Sequence, residues 1–303
     1  MSRPIHQPIH PSIRPLLDPE YIAFHDAHFQ YIFPDEHQTW KSSVRTAPRP
    51  WPSTAFTNTP VGSIRDIPLP NFPIRVFTPT APKPLSGYPV FIWFHGGGWV
   101  VGGLDDGNDL CSMVCETARC VVVTVGYRLA PEDSYPAAVE DAVAALQWVA
   151  SSEGTRTLNV DSSRIAIGGA SAGGNLATVL SLEASQLSPP LAIRAQILVV
   201  PVIDNTATVE TIWKQNQNAP LLTPARMEWY RAMYLPNVSD AVNWDASPNL
   251  APVELLAKSP RTWIAVSGQD LLAPEAVLYA KQLERAWEEE GVPDLRVATE
   301  MTV

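Results

Sequence analysis

A chain of 303 residues is long for one ordinary domain and short for two, which a single large α/β unit fits. Its 46% hydrophobic and 17% charged residues are a globular composition and exclude a disordered or fibrous chain. Twenty-one basic against thirty-one acidic residues leave a net charge of −10, a surface that repels phosphate backbones and anionic headgroups, so nucleic acid and membrane surfaces are excluded as partners.

Residues 1–50 are spaced by prolines and hold five of the six histidines, with an amphipathic piece over 20–33. Prolines stand where a signal peptide needs an unbroken apolar stretch, so a cytoplasmic protein is expected. The longest apolar runs, such as 192–203, break well before the ~20 residues of a membrane span. Beyond residue 50, short β-branched or aromatic runs fall at 62–67, 74–79, 88–94, 120–127, 164–168, 193–203, 262–267 and 295–303. Helical stretches at 106–118, 136–151, 172–184 and 274–290 lie between them. Pro136 and Pro274 sit in first turns, where proline is tolerated, and Gly291 supplies a stop. VFIWF and CVVVTV are apolar on both faces, as parallel strands covered by helices on both sides must be. The alternation predicts a mostly parallel, doubly wound sheet. Residues 205–260 interrupt it with Trp213, Trp229, Tyr230 and Tyr234, a helical excursion over the sheet edge. Cys111, Cys115 and Cys120, odd in number and crowded together, read as buried free thiols and not as a disulfide framework or a metal site.

Three motifs carry chemistry. GASAG at 169–173 follows one predicted strand and opens one predicted helix. A serine on so sharp a turn needs small neighbours two positions away; its hydroxyl then stands above the sheet at a helix N-terminus that favours developing negative charge. Ser171 is the candidate nucleophile. HGGGW at 95–99 ends the strand VFIWF. Gly96, Gly97 and Gly98 leave their N–H groups open to a substrate oxygen, and with the N–H of Ala172 they form a candidate oxyanion hole. His95 borders it as a structural hydrogen-bonder. Neither phosphate-loop spacing is present. In SGQDLL at 267–272, Asp270 stands at a strand's carboxyl end, where it can orient an imidazole. Asp204, after ILVVPVID, competes for that role and reads as structural.

HGGGW, YRLAPE at 127–132, YPAAVED at 135–141, GGASAGGN at 168–175 and GQDLL, in this order, resemble the hormone-sensitive-lipase-like branch of the α/β-hydrolases. DPEYIAFH at 18–25 and SPNLAP at 247–252 extend the resemblance over residues 15–303. It implies the α/β-hydrolase fold over 51–303, with a helical cap made of residues 1–50 and an insertion at about 205–250. It implies hydrolysis of a small-molecule ester through an acyl-enzyme, without metal or cofactor. It implies Ser171 as nucleophile, Asp270 as triad acid, and Gly96, Gly97, Gly98 and Ala172 around the oxyanion hole. YRLAPE and YPAAVED read as scaffold. The cap aromatics Tyr21, Phe24, Phe29, Trp213 and Trp229 point to an apolar or aromatic ester.

The sequence departs from the pattern at its end. Family members carry the general base after the last strand, but the histidines here are His6, His10, His25, His28, His37 and His95. The final covering helix is missing as well. The expectation is therefore an esterase architecture whose base lies beyond Val303; the alternative is a base-less relative that binds an apolar ligand. His25 and His28, three apart on a cap helix, read as a solvated face rather than a relocated base. An uncovered last strand predicts marginal stability, aggregation or a homodimer formed through that edge.

Overall fold

The computed structural model describes residues 3–46, 57–292 and 297–302. Its elements are α1 (Pro19–Ala27), β1 (Ser63–Pro68), β2 (Pro73–Thr78), β3 (Tyr88–Phe94), α2 (Asn108–Ala118), β4 (Val121–Val125), α3 (Ala137–Ala150), α4 (Ser152–Leu158), β5 (Val160–Ala170), α5 (Ala172–Gln186), β6 (Ile193–Val199), α6 (Pro224–Tyr234), α7 (Val253–Leu256), β7 (Arg261–Ser267), α8 (Ala273–Glu289) and β8 (Val297–Thr302). The eight strands form one sheet in the order β1-β2-β4-β3-β5-β6-β7-β8. β2 runs antiparallel to both β1 and β4, and every other pair is parallel.

The double-sided apolarity of the central strands has a direct cause. Successive side chains of a strand point to opposite faces. In β3, Val90, Ile92 and Phe94 join the large core that includes Leu146 of α3 and Leu176 of α5. Phe91 and Trp93 join a smaller core with Cys111 and Cys115 of α2. All three cysteines are buried free thiols, as their crowding predicted. Toward β6 and β7 the α2 side is thinner, with Ile197, Val199, Trp263 and Ala265 half-buried. No helix follows β8 among the described residues. Leu295 and Val303 of the expected last strand lie outside the described residues. Among those residues no helix is long and apolar enough to cross a membrane.

Two local expectations need correction. The amphipathic piece over 20–33 is not one helix: α1 stops at Ala27 and a 3₁₀ turn, Phe29–Tyr31, follows. His28 leaves helical geometry at φ −130°, ψ −60°, which turns Phe29 inward against the His25 ring at 5.1 Å. β5 extends well before residue 164, and α4 had not been foreseen between α3 and β5. The excursion at 205–260 resolves into α6, α7 and 3₁₀ turns; Thr223 caps α6 through the N–H of Arg226 at 3.2 Å, with Pro224 in the first turn.

Residues 3–46 and α6 are tied together. The Arg226 guanidinium, nearly buried, donates to Glu36 Oε2 at 2.8 Å, Gln7 Oε1 at 2.7 Å and the Leu221 carbonyl at 2.8 Å. Trp40 meets Trp229 edge-on at 5.9 Å.

Candidate active site

The sheet itself creates the crevice. From β3 the chain moves to β4 on one side, then crosses to β5 on the other side of β3. Connections leaving in opposite directions open a gap beyond the carboxyl ends of β3 and β5, the usual ligand position in such sheets. The loop 95–99 and Ser171 flank that gap. Asp270 follows β7, two strands farther along.

Ser171 occupies φ 55°, ψ −117°, a region that side-chain-bearing residues avoid. Neighbouring groups hold it there. Its N–H donates to the Val199 carbonyl at 2.8 Å, and its own carbonyl accepts from the N–H of Val202 at 3.1 Å and of Asn175 at 3.0 Å. The flanking glycines leave room for nothing larger. A Cβ on Gly169 would lie 2.1 Å from the Gly173 carbonyl oxygen, and one on Gly173 would lie 2.1 Å from that of Phe94. The small residues of GASAG thus let α5 tuck beneath the end of β3.

The glycine loop folds over this turn. A Cβ on Gly96 would sit 3.1 Å from the Ala170 oxygen and 3.5 Å from Ser171 Cβ. Gly97 and Gly98 have φ 114° and 60°, and a Cβ on Gly98 would strike the Tyr230 ring at 2.3 Å. Tyr230 of α6 therefore lies against the loop, with Trp229 beside it at 5.1 Å between ring centres. His95 is buried and stacked on Tyr127 at 4.3 Å. Its Nδ1 donates to the Gly96 carbonyl at 2.7 Å, while the Tyr127 hydroxyl donates to the His95 carbonyl at 2.9 Å. Burial holds the imidazole below its ordinary pKa, hence neutral. Arg128 pairs with Asp141 at 2.9 Å, so YRLAPE and YPAAVED pack together under the loop.

Asp270 is half-buried, and the N–H of Leu272 donates to its Oδ1 at 2.7 Å. Burial pushes its carboxyl up to about 6 against that bond. Asn216 Nδ2 fastens the turn by donating to the carbonyls of Gly268, at 3.0 Å, and Asp270, at 2.5 Å. Tyr21 of α1 feels the Asp270 charge, and burial with that charge raises its hydroxyl to about 12. Asp204, the competitor, accepts from the N–H and hydroxyl of Thr206 and from Asn249 Nδ2, which fits a structural role.

The candidate histidines His25 and His28 divide: α1 stops before His28, which is half-buried. His25 is fully buried, not solvated: its Nε2 donates to the Gln7 carbonyl at 2.7 Å and its Nδ1 pairs with the Tyr21 hydroxyl at 3.3 Å. The cap aromatics also divide. Trp213 is buried with its Nε1 on Glu275, and Phe24 is exposed, so neither has the half-buried setting of a pocket wall. The sequence assigns no chemistry to Tyr127, Asn216 and Glu275, because their partners lie between 32 and 72 residues away along the chain. A cleft of about 380 Å³ lined by Ser185, Trp244 and Leu255 lies at the far end of α5 from Ser171 and is no part of this site.

A family model described as the α/β hydrolase fold matches residues 91–296. An AB hydrolase superfamily protein of Schizosaccharomyces pombe is 40% identical over 92% of this chain and 85% of its own length. A carboxylesterase of Mycobacterium tuberculosis is 34% identical over 72% of this chain and 67% of its own. Among solved structures, a hyperthermophilic esterase from the archaeon Pyrobaculum calidifontis superposes with a TM-score of 0.71 at 30% identity, covering 82% of this chain and 77% of that one.

Proposed function

Because this chain belongs to the α/β-hydrolase family, we propose that it hydrolyses small carboxylic esters through Ser171. Esterases and carboxylesterases among its relatives support the reaction class. The observation that carries the serine mechanism is the conformation of Ser171, φ 55° with ψ −117°, at the mouth of the β3/β5 crevice. A strained residue persists only where its surroundings over-determine it, and a nucleophile held clear of its own helix is a reason to keep one.

In this reading Ser171 Oγ attacks the acyl carbon while its proton passes to an imidazole at Asp270, a base that no described histidine supplies and that added imidazole would replace. The N–H groups of Gly97, Gly98 and Ala172 hold the developing oxyanion, and His95 and Gly96 shape that loop. Collapse expels the alcohol and leaves an acyl-serine, which water attacks by the same route. All six histidines of the sequence precede Ser171, and His25 and His95 are committed to other partners. Residues 3–46 with the 205–250 region act as the cap. Tyr230 and Trp229 give it an aromatic wall, which favours an apolar or aromatic ester of moderate size.

The test compares the unmutated protein with Ser171→Ala on a p-nitrophenyl ester, with and without imidazole in solution. Turnover that needs Ser171, either unaided or raised by imidazole, is the expected result. Equal rates from both proteins in both conditions would overturn the reading. A second reading, a pocket that binds an apolar ester without consuming it, is favoured by one observation: among the described residues no imidazole bonds to Asp270. Ester binding by calorimetry with no Ser171-dependent turnover would select it.

A further inference from the structure

Glu275 is the third residue of α8, five positions after Asp270, and it is almost completely buried. Its Oε1 accepts from the N–H of Ile203 at 2.8 Å and of Asp204 at 3.5 Å, and its Oε2 accepts from Trp213 Nε1 at 3.0 Å. A carboxyl taken out of water at this depth is costly unless its bonds are made, and an apolar side chain would fill the space at less cost. The donor set explains the residue type. All three partners are N–H groups, so both oxygens must accept; a glutamine would turn an NH₂ toward another N–H.

The three anchored groups belong to different parts of the candidate site. Ile203 and Asp204 lie in the loop after β6, and its Val202 N–H holds the Ser171 carbonyl. Asn175, four residues past Ser171, grips the Val202 carbonyl at 3.1 Å. Trp213 lies in the 3₁₀ turn Ile212–Asn216, whose Asn216 fastens the Gly268 and Asp270 carbonyls. Glu275 itself rides on α8, which begins three residues after Asp270. One side chain therefore joins the turn of Ser171, the turn of Asp270 and the 205–250 region. The charged groups facing it are Asp204 from the loop after β6 and Arg231 from α6.

We propose that Glu275 is a positioning residue for the ester hydrolysis proposed above, fixing the separation of Ser171 from Asp270 through the 202–204 backbone and Trp213. The inference rests on that reading of Ser171. Small displacements between reacting groups are expensive, about a hundredfold for 1 Å, so loosening this joint acts on kcat more than on KM.

The experiment uses the full chain with Glu275→Gln, Glu275→Asp, Trp213→Phe and Ser171→Ala. It reads kcat and KM on a neutral p-nitrophenyl ester, with imidazole if the unmutated protein responds to it, and hydrogen exchange of the 202–204 amides. Glu275→Gln is expected to lower kcat by about tenfold or more with KM little changed. It should also speed exchange at 202–204 while β3 and β5 stay protected. Glu275→Asp, which keeps both acceptors, recovers part of kcat. Trp213→Phe, which removes one donor and keeps a large ring, shifts both readouts in the same direction and serves if Glu275→Gln does not fold. An unchanged kcat, or a kcat loss accompanied by uniform acceleration of exchange across the sheet, would overturn the proposal. If Ser171→Ala hydrolyses as fast as the unmutated protein, the reading of Ser171 fails, and exchange at 202–204 decides separately whether Glu275 holds the joint.

Discussion

Ser171 carries backbone strain of about 1–3 kcal/mol at its φ of 55°. Glycine reaches such geometry without a Cβ clash, at an entropic cost of about 0.5–1 kcal/mol. Ser171→Gly should therefore match or exceed Ser171→Ala in melting temperature while both lack turnover; a glycine variant less stable than the alanine would mean the turn is not strained. Asp270 gives a second residue-scale prediction. Burial raises its carboxyl from 3.8 to about 6, so between those values the folded chain keeps a proton that the unfolded chain releases. Stability from this group is complete below 3.8, falls as pH rises through 6, and stays low above. Asp270→Asn carries no such charge and can still accept from Leu272. Its advantage in melting temperature over the unmutated protein should grow from pH 4 to pH 7 and then level off, by about 2 °C for each kcal/mol regained. An advantage independent of pH would show that Asp270 is solvated.

At the scale of elements, the weak joint is the one between residues 3–46 and α6. Arg226 and Glu36 are both nearly buried, and removing one partner of such a pair costs about 3–5 kcal/mol because the other charge is left unpaired. Arg226→Met should release residues 3–46 first, seen as faster chymotrypsin cleavage there while the sheet keeps its circular dichroism. Adding Glu36→Gln should slow cleavage again, and identical cleavage in all three proteins would mean the pair holds nothing. This joint was invisible in the sequence, where Glu36 and Arg226 are 190 positions apart. The strands were the opposite case. VFIWF declares itself because both of its faces are buried, and β3 runs over Tyr88–Phe94, the predicted 88–94. α5 was legible for a related reason: GASAG can only be a close crossing, and Gly173 proves to lie beneath the Phe94 carbonyl. α1 was misjudged because apolar spacing over 20–33 does not reveal that His28 breaks the helix. Glu275 was lost inside an ordinary amphipathic stretch, since charge alone does not say which glutamates are buried.

For the whole molecule, the net charge of −10 and the sheet order act on the same place. Parallel strands bring the candidate groups to one edge of the sheet, and the carboxyls of Asp35, Glu36 and Asp204 lie on that side with Arg226 and Arg231. Burial pushes Glu275 up to about 8, so that it adds little charge at neutral pH, and Asp270 up to about 6. A negative field over a low-dielectric crevice lowers the local concentration of anions and slows their entry. An ester bearing a free carboxylate should thus have a kcat/KM about tenfold below that of its neutral methyl-capped analogue at low ionic strength, provided the site turns over esters as proposed. Salt separates this field effect from a steric one. Near 1 M the screening length falls to about 3 Å, shorter than the path into the crevice, so the gap between the two esters should close while the neutral ester keeps its rate. If the gap persists unchanged at high salt, the discrimination lies in direct contacts such as Tyr230 on the glycine loop, and the acidic surface plays no part in choosing the substrate.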